Sequence, residues 1–148
     1  MGLRGGLVAG AAGTTALDTI TYLDMAIRGR QSSELPAKAA DELAGDAHLP
    51  LGEADAHDAR TQGLGALLGY AAGLSVGAGY GLLRTVVRVP WPVAAVGLAA
   101  AAMAAGDAPL TALGLTDPRD WDGASWISDI VPHLGYGVVT ALAYEMSV

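Results

Sequence analysis

QGLGALLGYAAGLSVGAGYGLL, residues Gln62 to Leu83, contains no charged residue and is closed on either side by Arg60 and Arg84. A helix needs about 20 mostly apolar residues to cross a bilayer, and at 1.5 Å per residue this stretch covers about 33 Å. Glycine recurs every fourth position, at Gly65, Gly69, Gly73, Gly77 and Gly81. Side chains four apart lie along one side of a helix. Without Cβ atoms there, a second backbone can approach closely. The stretch therefore predicts a membrane-spanning helix with a groove cut for another helix. Gly2, Gly6, Gly10 and Thr14 repeat the same spacing near the start of the chain and are the natural counterpart. The groove packs either inside the bundle or against a second copy or a partner.

Three further apolar runs surround this one. The first spans residues 5–27, between Arg4 and the pair Arg28 and Arg30. It reads as a retained span: Thr14, Thr15 and Asp18 stand where a leader would carry its small-residue cleavage site. The third begins at Pro90-Trp91-Pro92 and reaches Ala105, which covers only about 22 Å. Gly106-Asp107-Ala108-Pro109 follows, and an apolar stretch resumes to Leu115. Because proline removes a helix donor and aspartate is a good N-cap, this segment is either a short span or a broken helix over 91–115. The fourth covers 130–146, with Asp129 before it and Glu145 in its last turn.

Composition agrees with this layout. Of 148 residues 52 % are hydrophobic and 16 % charged, against roughly 25 % charged in a soluble domain. The mean hydropathy is +0.39. That excludes disorder, which needs low hydrophobicity and high charge. The chain has no cysteine, so thiolate metal sites and cysteine nucleophiles are excluded. Its 8 basic residues are scattered and its net charge is −7, which excludes nucleic acid as a partner. The GxxxxGK[ST] motif is missing, and the one GxSxG match, Gly73 to Gly77, lies inside the apolar run and not at a strand-to-helix elbow. No cofactor or metal is expected. His48 and His57, with Glu53, Asp55 and Asp58 nearby, read as a solvated acidic surface, since no fixed ligand motif joins them.

The expected architecture is all-α: a four-transmembrane-helix bundle in one domain, with polar loops at 28–61 and 116–128. Within the first loop Ser33-Glu34-Leu35-Pro36 predicts a helix start and Gly45 its stop. Leu35, Ala39 and Leu43 form the apolar face of this short amphipathic surface helix. Four spans place both termini on one side of the cell membrane. Trp121 and Trp126 then belong to one aromatic belt, and Trp91 and Tyr144 to the other. Basic residues flank both ends, so the orientation stays open.

Ionisable groups at membrane depth are costly and call for a role. Thr14, Asp18, Thr21 and Tyr22 form a polar stripe continuing the Gly6 and Gly10 row. Asp24 and Arg28 are spaced as an i,i+4 ion pair. Asp107 sits at the interruption of the third run, and Asp129 and His133 are i,i+4 partners where the fourth begins. Three readings stand. The groups fix helix register inside a non-enzymatic accessory or self-associating subunit, or they line a path for protons or small cations, or they serve a membrane-embedded enzyme acting on a lipid.

LDTITYLDMAIRGR (residues 17–30) and SDIVPHLGYG (residues 128–137) resemble a group of small, uncharacterised bacterial four-helix membrane proteins. The resemblance implies that fold and location, and no activity. It points again to Asp18, Asp24, Arg28, Asp129 and His133, and offers one pairing: Asp129 or His133 against the polar stripe of the first segment.

Overall fold

Gly29 and Gly114, both with positive φ (66° and 71°), stop the first and fourth of the five helices. Each occupies the left-handed position just past a helix end, where a Cβ would be penalised. The computed structural model describes residues 2–147, and among them there are no strands. The helices are α1 (Gly2–Arg28), α2 (Leu35–Asp46), α3 (Asp55–Leu83), α4 (Trp91–Ala112) and α5 (Gly123–Met146), with a 3₁₀ turn at Pro118–Asp120.

The four long helices form a ring in which α1 touches α3 and α5, and α4 touches α5 and α3. Neighbours run antiparallel: Gly6 faces Gly77 and Gly81 while Gly10 faces Gly73 and Gly77, and Gly13 meets Tyr136 while Gly135 meets Ile20. α3 and α5 thus lie parallel across a diagonal. Gly2 and Glu145 share one cleft, so the two ends of the described chain sit at the same end of the bundle.

The interior is built of small residues and tyrosines. Ala9, Ala94, Ala95, Ala99, Ala102 and Ala141 are buried, together with Tyr80, Tyr136 and Tyr144. Leu98 is the one leucine buried with them; most large aliphatic side chains point outward, Val8 being 66 % exposed, Leu67 64 % and Val96 64 %. A protein folded in water has the opposite arrangement.

α3 and α4 are long and apolar enough to cross a membrane by length and composition. α1 and α5 have the length, but Arg4, Asp18, Asp24 and Arg28 dilute the first, and Asp129, His133 and Glu145 the second. The all-α bundle is thus present, and two of its helices, not the four expected, are long and apolar enough to cross a membrane.

Several local expectations change. The third run neither ends at Ala105 nor breaks: α4 continues through Pro109 to Ala112. Pro109 lies in the last turn, where its missing N–H forfeits a single bond. Asp107 is therefore mid-helix, not a cap. α2 runs past Gly45 and is closed by His48, whose positive φ lets Leu49 N donate to Ala44 O (2.8 Å). Its packed face is Ala39, Ala40 and Ala44, while Leu43 is exposed, because α2 lies against a glycine of α3 that admits only small side chains.

The five-glycine row also divides. Gly73, Gly77 and Gly81 meet Thr14, Gly10 and Gly6 of α1. Gly65 meets the Pro36 backbone of α2, and Gly69 faces open space.

Candidate functional site

The polar residues of the sequence do not converge on one site. They form three groups, at the two ends and along one seam.

The first is the polar stripe of α1. Thr14 is buried on the glycine seam, and its hydroxyl donates to Gly10 O (2.9 Å). Asp18 is half-buried and reaches the Tyr70 hydroxyl of α3. Tyr22 is exposed. At 100° per residue the stripe drifts about 40° with every fourth residue, so it leaves the seam and turns to the surface. Asp18 is thereby turned toward Tyr70 of α3, and among the described residues it makes no ion pair with His133.

The second group joins α4 to α5. Asp107 and Asp129 bring their carboxyl groups within hydrogen-bonding reach of each other. His133 lies one turn on, with Nδ1 donating to the Asp129 carbonyl (2.8 Å) and 3.4 Å from Asp129 Oδ1. Both side chains are mostly buried. Asp129 Oδ2 is buried and has no hydrogen-bond partner among the described residues. A buried acceptor left alone is costly, and two acidic groups this close repel when both are ionised. Three groups of the His/Asp type are present, yet no set of three or more His, Asp or Glu among the described residues is arranged to hold a metal ion.

A prediction arises here. In Asp107→Asn the new amide can donate to Asp129 Oδ2. If the cluster only sets register, the variant should unfold in detergent with a gain of about 1–2 kcal/mol at neutral pH. A clear loss would show that the Asp107 carboxylate itself is needed. Beside this cluster, Arg28 closes the end of α1. It grips Asp24 in a fork (2.6 Å for each arm) and donates to Ser128 of α5. Arg30 adds a second cation to Asp24. The expected pair is therefore part of a brace between helices.

At that same end Asp122 caps α5 by accepting from Ser125 N (2.7 Å), and hydrogen bonds from Ser125 hold its carboxyl below the usual carboxylate range. Asp117 is held low in the same way by Arg119. Trp121 and Trp126 pack edge to face, 5.0 Å between centroids. His57 reaches Asp41 of α2 (Nε2–Oδ1 2.9 Å), tying α2 to α3. It does not pair with Glu53.

The third group, at the end holding both termini, was not singled out from sequence. Arg84, just past α3, donates to the Tyr80 hydroxyl (2.8 Å) and to Glu145 of α5. Its guanidinium lies over the Tyr80 ring (5.7 Å) and the Tyr144 ring (5.2 Å), and these two rings meet edge to face at 5.1 Å. Two tyrosines brace the diagonal: Tyr136 OH donates to Gly73 O (2.6 Å) and Tyr144 OH approaches Gly81 O (3.5 Å). The sequence held one cue to this: both pairs are 63 residues apart, so the eight-residue step between the tyrosines equals the step between the glycines.

Neither the cleft at the termini nor the acidic hollow on α2 is lined by Asp18, Asp107, Asp129 or His133. Comparison with known protein families, curated proteins and solved structures finds no match for this chain.

Proposed function

We propose that this protein is a four-span integral membrane bundle acting as a non-enzymatic packing or accessory subunit, seated in lipid and self-associating or held against another membrane protein. The observation that carries this reading is the inverted distribution of side chains. Most valines and leucines of α1, α3, α4 and α5 face outward, and alanines, glycines and three tyrosines fill most of the inside. Exposed apolar surface on this scale needs a cover, and lipid tails supply one over every helix at once.

The outward hydroxyls fit the same surroundings. Thr15, Thr19 and Ser75 each donate to the carbonyl four residues back (3.0, 2.7 and 2.7 Å). Polar groups facing hydrocarbon must be satisfied within their own helix. The resemblance carried by residues 17–30 and 128–137 points the same way.

The test is fractionation of the expressed chain. It should sediment with membranes, resist an alkaline carbonate wash and stay monodisperse only in detergent. A chain that remains monodisperse in plain buffer after ultracentrifugation would overturn the proposal. Assembly is probed at Gly69, which faces open space. Gly69→Leu should dissociate a defined oligomer without unfolding the subunit, whereas leucine at Gly73 would test the fold itself, because Gly73 lies against Thr14.

A second reading, a carrier of protons or small cations, is favoured by the unpaired Asp129 Oδ2 beside Asp107 and His133. It requires a proton or cation flux in proteoliposomes that Asp107→Asn abolishes. Absence of flux for protons, sodium and potassium would remove it.

A further inference from the structure

At the end of the bundle where the termini meet, a cleft of about 660 Å³ opens between the α3–α4 connection and the last turn of α5. Arg84, Thr85, Arg88, Trp91, Tyr144 and Glu145 contribute to its walls. Two guanidinium groups therefore face one carboxylate. Arg84 is held rigidly by Tyr80, Tyr144 and Glu145, all through Nη1 or its π-face; Nη2 donates to nothing among the described residues. Its Nε is buried without a partner. Arg88 makes no ion pair and no side-chain hydrogen bond among the described residues, and it is exposed. The cleft thus presents a pre-oriented guanidinium and a second, free one, with a net positive charge.

The surroundings of the cleft are apolar. Val86 is 80 % exposed, and Val87 and Trp91 also face outward beside the two arginines. A tryptophan and valines around a cationic recess match the boundary between headgroups and acyl chains. Guanidinium forks match the oxygens of phosphate and carboxylate alike, and at a headgroup boundary the abundant anion is phosphate. Here we infer a binding site for a phosphate group of net negative charge, carried by an anionic phospholipid or free in solution. Placing it at a lipid headgroup rests on the membrane reading above; the anion chemistry does not. Glu145 works against the anion, and its pairing with Arg84 tempers the site.

The experiment uses the full chain in mild detergent, probed by native mass spectrometry with phosphatidylglycerol and phosphatidylcholine in parallel. Phosphatidylglycerol should be retained in clear preference. Arg88→Gln should weaken its binding by about fivefold, the worth of one arginine near a charged surface, while leaving the fold intact because Arg88 holds no other residue. Glu145→Gln should bind at least as tightly as the unaltered chain. Equal retention of the two lipids, or an unchanged affinity in Arg88→Gln, would overturn the site.

Inorganic phosphate decides the source. Displacement of phosphatidylglycerol by phosphate, with chloride as control, means that the free anion is accepted as well. Failure to displace assigns the site to lipid. Should the chain prove soluble without detergent, the membrane reading fails alone. Titration calorimetry with inorganic phosphate then tests the site: heat that Arg88→Gln abolishes supports it, and no heat refutes it.

Discussion

Gly77→Leu should abolish the folded bundle, and Gly77→Ala should already cost about 3 kcal/mol or more. A Cβ at Gly77 would lie 2.5 Å from Gly10 Cα and 2.8 Å from Gly10 N. Both are backbone atoms, so no rotamer change can clear them. α1 and α3 would have to separate, and the contacts of Gly6, Gly73 and Gly81 along the same seam would loosen with them. Overpacking that side chains can absorb costs about 1–3 kcal/mol; here the neighbours cannot yield. Helix propensity runs the other way, favouring alanine over glycine by about 1 kcal/mol, and it is outweighed. Gly69→Ala isolates that term. Nothing lies within 4 Å of its Cβ position, so the variant should match or exceed the parent by up to about 1 kcal/mol. Reversible unfolding in detergent measures both. Gly77→Ala as stable as the parent would refute the seam.

The contrast between those glycines shows how far the sequence could be read. A four-residue spacing is visible in one line, and it identified the helix and its close partner. It could not say how long the partnership lasts. Each step of four turns the row by about 40°, so Gly65 and Gly81 point about 160° apart. One straight neighbour cannot follow such a row. α1 takes the C-terminal three, α2 takes Gly65, and Gly69 falls in the gap. The same drift carries Asp18 and Tyr22 out of the seam that Thr14 enters. Asp24 with Arg28 and Asp129 with His133 were legible because both partners lie within one turn of one helix. Arg84 with Glu145 lies 61 residues apart, and only the ring order of the helices brings them together. α1 and α5 carry charges that α3 and α4 lack over their apolar stretches, so length and composition mark only α3 and α4 as long and apolar enough to cross a membrane.

Tyr136→Ala should destabilise by about 3–5 kcal/mol, the cost of deleting a large buried aromatic from a packed interior. Tyr136 is fully buried, and its ring lies against Gly13 of α1 while its hydroxyl reaches Gly73 of α3. It therefore fills the space where three helices meet, and Gly13 and Gly73 beside it have no side chains with which to refill it. Tyr136→Phe separates the ring from the hydroxyl. The Gly73 carbonyl is in mid-helix and keeps its own backbone partner, so losing the 2.6 Å bond should cost only about 1 kcal/mol. Tyr144→Phe should cost less still, since its hydroxyl stands 3.5 Å from Gly81 O, at the outer limit of a useful bond. The expected order is Tyr136→Ala far below Tyr136→Phe, with Tyr144→Phe near the parent. If Tyr136→Phe fell as far as Tyr136→Ala, the diagonal would be held by the hydroxyl and not by filled volume. The small-residue interior would then need a different account, because alanine and glycine walls hold a helix bundle together only when something rigid occupies the space between them.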